Sequence, residues 1–194
     1  MLVRGALVFA SCAAVLVACK SPPAEPVPAS RVPAEVAPRV VPALRCVVPL
    51  TAIAPPVPEP VLDARCPQEP SPERRYKKRL LQVGSEQLLV ELAMSEPERE
   101  QGLMYRRALG EREGMLFDLE HEEAHAFWMH DTCIPLDIAF LAADGTIVGI
   151  AENATPLRDE PRQVACPSRY VIETRAGWFR RHGVLPGARI AVTE

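Results

Sequence analysis

Fifteen of the 21 prolines in this chain lie between Pro22 and Pro72, and that stretch contains no aromatic ring. A segment so built cannot bury enough apolar surface to offset the entropy of ordering, and each proline removes a backbone donor. No sheet or helix of its own is expected there. Nine of the ten aromatics lie at or after Tyr76. Composition therefore divides the 194 residues into three parts: an export segment over 1–18, a proline-rich disordered linker over 19–73, and one β-rich domain over 74–194. The last is an ordinary size for a single core. Extended as polyproline, the linker would rise ~3.1 Å per residue. Leu44 to Ile53 is its most apolar part and the part best suited to pack on the domain.

The first residues read as an address. Met1 to Arg4 supplies a positive start, and Gly5 to Ala18 is apolar but shorter than the roughly 18 residues a spanning helix needs. Leu16-Val17-Ala18-Cys19 resembles the bacterial lipobox, in which the cysteine is acylated and becomes the new N-terminus. The competing readings are a secretory signal cut after Ala18 or a short anchor. Two or three acyl chains satisfy the requirement of more than one lipid for stable anchoring. Lys20 after Cys19 resembles lipoproteins passed to the outer membrane. The expected location is the cell envelope, lipid-anchored and facing the periplasm. A net charge of −3 offers no footprint for a nucleic-acid partner.

Four cysteines remain after Cys12 and Cys19: Cys46, Cys66, Cys133 and Cys166. Outside the cytosol they allow three pairings. The simplest keeps Cys46 with Cys66 in the linker and Cys133 with Cys166 in the domain. The latter bridge would be worth about 3 kcal/mol in the chain-entropy description. A reactive thiol at Cys133 beside His130 is the alternative.

From residue 79 onward the apolar period is mostly two. Arg79 to Val83, the Gly84-Ser85 turn and Gln87 to Met94 read as a hairpin. Ser95 with Glu98 three residues on predicts a capped helix from Glu96 to about Met104, with Pro97 tolerated in the first turn. Gly114 to Leu119 reads as a strand, and Ala126 to Met129 as another with Phe127 and Met129 on one face. Asp137 to Leu141, Asp144-Gly145 and Thr146 to Ala151 form the clearest hairpin, with a turn of the type I′ kind. Arg169 to Thr174 is a further strand, Trp178 to His182 a helical turn, and Arg189 to Val192 a last strand. Short strands with one or two short helices argue for an antiparallel sandwich or barrel.

Several words in order carry a resemblance: Gln101-Gly102-Leu103-Met104-Tyr105-Arg106, Gly114-Met115-Leu116-Phe117, Phe127-Trp128-Met129 with Thr132, Ile134-Pro135-Leu136-Asp137-Ile138-Ala139-Phe140, and Val171-Ile172-Glu173 with Gly177. Over about Val90 to Val192 they resemble the DUF192 family, a domain of unknown function often found in exported proteins. The resemblance implies a compact, mostly β, jelly-roll-like domain and no settled activity. Asp131 stands where the family usually has Asn, and Ala188-Arg189 where Gly-Asp is common.

The polar residues of these words are the site candidates: Arg106, Asp131, Thr132, Asp137 and Glu173, with Trp128 as an aromatic platform. Arg106 could hold a ligand's carboxylate or phosphate, or else pair with Asp137 or Glu173 to satisfy buried charge. Asp131 and Thr132 suit turn chemistry before Ile134-Pro135 as well as ligand binding. Trp128, Met129, Met104 and Met115 could line a groove or belong to the core. His121, Glu122, Glu123, His125, His130 and Asp137 are metal-ligand types without a ligating spacing, so no metal and no cofactor is expected. Two functions follow. The first is an envelope module binding a cell-wall component or protein partner. The second is a small hydrolase or metal-dependent enzyme using Asp137, Glu173 and His130. A purely structural lipoprotein would need neither.

Overall fold

In the computed structural model, residues 45–70 and 75–192 are described. The expected export segment, the expected acylation site Cys19 and the first part of the expected linker, up to residue 44, lie outside them. The predicted first hairpin forms as β1 (Lys77–Val83) and β2 (Glu86–Ala93), paired antiparallel across Gly84-Ser85. Helix α1 (Glu96–Gln101) follows, and its capping box is present, with the Ser95 N–H donating to Glu98 Oε2 at 2.8 Å. The remaining elements are β3 (Glu113–Glu123), β4 (Ala126–Phe127), β5 (Leu136–Leu141), β6 (Ile147–Ala154), β7 (Arg162–Gln163), β8 (Ser168–Arg175) and α2 (Trp178–Arg181).

The strands form a six-stranded sheet in the order β1-β2-β3-β8-β5-β6, with a two-stranded ribbon of β4 and β7. The expected antiparallel sandwich or barrel is corrected in two respects. The sheet is mixed, because β2 and β3 run parallel. The chain between them carries α1 and is long enough to return to the same end of the sheet, which a tight hairpin is not. The sheet also stays open, with β1 and β6 at its edges. Arg189, expected in a last strand, makes only an isolated bridge to Thr146.

The Asp144-Gly145 turn also differs from its expected type. Only Gly145 has positive φ, at 81°, and the loop runs from Ala142 to Thr146, whose carbonyl accepts from Ala142 N–H at 2.9 Å. A side chain at Gly145 would stand 1.9 Å from the Ile190 carbonyl oxygen. The approach of the C-terminal segment thus requires glycine there.

Both faces of the sheet are covered. One core gathers Leu88, Leu116, Leu141, Ile172, Trp178 and Phe179, and the other Met115, Phe117, Met129, Ile138, Phe140 and Val171. Residues 116 and 117, or 171 and 172, go to opposite cores because successive side chains on a strand point to opposite faces. All six residues of β5 are buried.

Residues 45–70, expected to belong to a free stalk, lie against this domain. They form no regular element, yet their backbone is satisfied by the domain: Val48 N–H donates to Val148 O at 2.8 Å and Val61 N–H to Cys133 O at 2.8 Å. Asn153 Nδ2 donates to Pro55 O at 2.5 Å, and Val48 and Leu50 pack on the two cores. The expected disulfides are corrected accordingly. Cys46 pairs with Cys166, and Cys66 with Cys133. Each bridge staples the strap to the domain, with Cα atoms 5.6 Å apart in both. Spacing along the chain could not show this, because the strap crosses the domain and meets it at both cysteines. Two disulfides point to a compartment outside the reducing cytosol. Among the described residues no helix is long and apolar enough to cross a membrane.

Peptide mapping of the non-reduced protein is expected to recover Cys46 linked to Cys166 and Cys66 linked to Cys133. Replacing Cys66 and Cys133 together by Ala is expected to cost about 4 kcal/mol in urea unfolding, since that bridge spans 67 residues. Recovery of a Cys46–Cys66 peptide would refute the pairing.

Candidate functional site

Strand register decides which candidates can meet. Ile138 of β5 and Met115 of β3 both stand opposite Glu173 of β8, so all three side chains share one face. Asp137 stands opposite Thr174 and belongs to the other face. The sheet therefore separates the two carboxyls proposed as an acid and base pair.

Asp137 is fully buried, and its carboxylate accepts from the N–H groups of Gly177 at 2.9 Å, Asn153 at 2.9 Å and Phe179 at 3.4 Å. It ties the start of α2 and strand β6 to β5. Burial pushes its carboxyl up, and the three N–H donors pull the other way without cancelling the rise. Its lone pairs serve the backbone, and it faces no cavity that the other candidates line.

Glu173 is the opposite case. It is 4 % exposed, and among the described residues its carboxyl has no hydrogen bond or ion pair. Burial alone raises its pKa from 4.5 to about 8. It lines a hollow of about 40 Å³ together with Thr132, Gln101, Met104, Phe117, Phe127 and Trp128. Trp128 is 59 % exposed at the mouth. A shallow groove of about 380 Å³ continues outward past Trp128, Gln101 and Met104 to Pro97 and to Glu69 and Pro70 of the strap.

Local structure explains the walls. Gly102 ends α1 at φ 48° and ψ −130°, and a side chain there would come within 3.2 Å of the Phe117 ring. Glycine therefore lets the turn after α1 close over Phe117. Phe117 and Phe127 meet edge to face with centroids 5.0 Å apart. Tyr105 and Asp131 both have positive φ, at 67° and 50°, and lock together. Tyr105 N–H donates to Asp131 O at 2.8 Å and its hydroxyl to Asp131 Oδ2 at 3.2 Å. This pair pins the turn after α1 to the loop that carries Trp128, which are two walls of the hollow. Burial and the Asp131 carboxylate push the Tyr105 phenol up. Gln101 Nε2 donates to Glu69 Oε1 at 2.9 Å, so the strap completes the outer groove.

Three of the six predicted residues, Trp128, Thr132 and Glu173, thus converge. Thr132 is buried and donates its hydroxyl to His130 O at 3.1 Å, leaving its lone pairs toward neighbours. Asp131 supports the site from behind. Arg106 does not join: it pairs with Glu91 of β2, whose other oxygen lies 3.5 Å from Lys78 Nζ. His130 is exposed and bonds Asp159 Oδ1 through Nδ1 at 2.8 Å, and this bond raises its pKa. It is apart from Asp137, so the hydrolase constellation does not form. Among the described residues no three His, Cys, Asp or Glu side chains come together as a metal site. Met104, expected with Trp128 as groove lining, does line the hollow, whereas Met115 and Met129 belong to the core; Gln101 and Phe117, which complete it, were visible only as family words. A cavity of about 410 Å³ between Val57–Pro60 and Arg107 and Arg175 holds none of the predicted residues. Its guanidiniums are engaged, Arg107 with Leu62 O and Arg175 with Glu111.

Three comparisons bear on identity. The DUF192 family pattern, described as an uncharacterized ACR, matches residues 79–192. A structure from Sinorhizobium meliloti, described as a candidate transcription regulator, is 43% identical with a TM-score of 0.58, covering 61% of this chain and 95% of that one. A protein of unknown function from Novosphingobium aromaticivorans is 33% identical with a TM-score of 0.55, covering 64% of this chain and 90% of that one. A search of curated proteins found no match.

Two outcomes follow from the two carboxyls. The folded chain holds the Glu173 proton more tightly than the unfolded chain, whose value is near 4.5. Stability from this group is therefore complete below about pH 4.5 and is lost as pH rises toward 8. Glu173→Gln is expected to be more stable than wild type at pH 8, on the order of several kcal/mol, and equal to it near pH 4.5 by urea unfolding. Asp137→Ala leaves three N–H groups, two of them buried, without an acceptor and is expected to cost about 3 kcal/mol, with faster amide exchange at Gly177 and Phe179.

Proposed function

This chain belongs to the DUF192 family, and we propose that it is an envelope lipoprotein whose domain binds a cell-wall component in the groove beside Trp128, with one ligand group entering the hollow over Glu173. The observation that carries the reading is the buried carboxyl without a partner at the end of an opening walled by aromatic rings. Leaving such a group unpaired costs free energy in the empty protein, and a ligand that satisfies it recovers that cost on binding. An exposed indole at the rim supplies apolar contact at small entropic cost, a combination common in binding sites.

The lipobox-like Leu16-Val17-Ala18-Cys19 and the two disulfides support an exported, anchored chain. Asp137, which caps α2, has no part in binding, and Arg106 acts through its pair with Glu91. The label of the Sinorhizobium meliloti relative as a candidate transcription regulator favours a different role, but a net charge of −3 gives that role no overall electrostatic support.

The mature N-terminus is expected to be an acylated Cys19 by mass spectrometry of the membrane fraction. An intact Met1 on a cytosolic molecule would refute it. Solubilised cell-wall fragments added to the full chain in detergent are expected to shift indole emission in wild type and not in Trp128→Phe. They are also expected to be retained by wild type and by Lys78→Ala. Absence of both shift and retention would sink the binding reading.

A further inference from the structure

The chemistry of the hollow narrows what can enter it. Two of its polar groups can accept: the Glu173 carboxyl, once ionised, and the Thr132 hydroxyl oxygen, whose proton is committed to His130 O, while the amide N–H of Gln101, also in the lining, is given to Glu69. From the elements packed around it, β3 contributes Met115 and Phe117, β5 contributes Ile138, and the 127–132 loop contributes Phe127, Trp128 and Thr132. The charged residues at the mouth are Arg99 and Glu100 of α1. Arg99 is turned to Met94 O at 2.6 Å, Asp118 O at 3.0 Å and Glu120 at 3.1 Å, so it does not neutralise Glu173.

Space is the second constraint. A hollow of about 40 Å³ admits roughly two waters, or a terminal polar group with one methylene. Whatever follows that group must be slender until it reaches the groove at Met104 and Trp128.

Resting on the binding reading above, we infer that the group received over Glu173 is a protonated primary amine at the end of an unbranched alkyl chain. An ammonium carries three donors and no acceptor, which suits the two acceptors at Glu173 and Thr132, and it supplies the counter-charge that the ionised carboxyl lacks. The rings of Phe117, Phe127 and Trp128 line the path of the cation, and aromatic surfaces favour cations over other polar groups of similar size. A hydroxyl can pair with the protonated carboxyl but brings no charge, so it gives the carboxyl no reason to ionise.

Binding an ammonium ionises Glu173, so a proton leaves as the ligand enters. This gives the test its signature. The full chain in detergent is titrated with n-butylammonium and with butan-1-ol, following the shift in indole emission, with Trp128→Phe, which retains only Trp178, as the background. For butylammonium the apparent Kd is expected to fall about tenfold per pH unit from pH 6 to 8 and to level above that. Butan-1-ol is expected to bind at least tenfold more weakly at pH 8. Glu173→Gln, checked for fold by circular dichroism, is expected to lose the pH dependence and at least tenfold in affinity. Carbon-13 NMR of the Glu173 carboxyl at pH 7 is expected to move from the protonated to the ionised position on saturation. Butylammonium should displace bound cell-wall fragments, and acetylating the amines of those fragments should abolish their capture.

If butan-1-ol binds as tightly and without pH dependence, the ammonium assignment is overturned while the site stands. If fragments bind but neither butyl probe competes, and Glu173→Gln binds them unchanged, the assignment is again overturned, leaving only the Trp128 groove. If no fragment binds at all, the binding reading falls together with the assignment.

Discussion

Burial of the sheet on both faces is the constraint from which the rest follows. In a sheet with one wet face, a carboxyl misplaced by one residue reaches water. Here β5 is buried along its whole length and β8 nearly so, and every polar group on them must find a partner or remain unpaired. Asp137 and Glu173 stand one register step apart and so meet different fates. On its face Asp137 finds three N–H groups at the start of α2 and in β6. On the opposite face Glu173 finds aromatic rings and a small hollow. One carboxyl holds the fold together, and the other is held by the fold against its own ionisation.

The second device is the strap. Residues 45–70 have too few large apolar groups to fold alone, yet they are held by backbone hydrogen bonds to the domain and by two crosslinks. Their position is not incidental to the site. Cys66 is bonded to Cys133, next to Thr132, and Glu69 three residues later bonds Gln101 at the rim. The crosslink thus fixes where the strap ends its crossing and gives the groove its outer wall. Glu69 and Pro70 stand before residue 79, where the family match begins, so this wall belongs to the stretch that precedes that match.

Much of this was legible in the residues. The capping box at Ser95 and Glu98, the two hairpins, and the alternation that puts Phe127 and Met129 inward with Trp128 outward are local patterns, and the structure contains all of them. The convergence of Trp128, Thr132 and Glu173 was legible only in part. Each was marked by its family word, but Arg106 and Asp137 were marked equally, and no local feature distinguished them. Arg106 is withdrawn by Glu91, a residue on β2 outside those words. The parallel pairing of β2 with β3 was hidden for the same reason, since local period does not encode strand partners.

By itself the sequence determined that a β-rich body lies in the C-terminal part of the chain, most of the element types within it, and the set of residues from which a site could be drawn. Those follow from composition and short-range period, which act between neighbours along the chain. Only the tertiary structure decided the disulfide partners, the docking of the strap, and the separation of Asp137 from Glu173 by the thickness of a sheet. Those depend on strand order and register, and they rest on contacts between residues 40 to 120 positions apart, which no local pattern specifies.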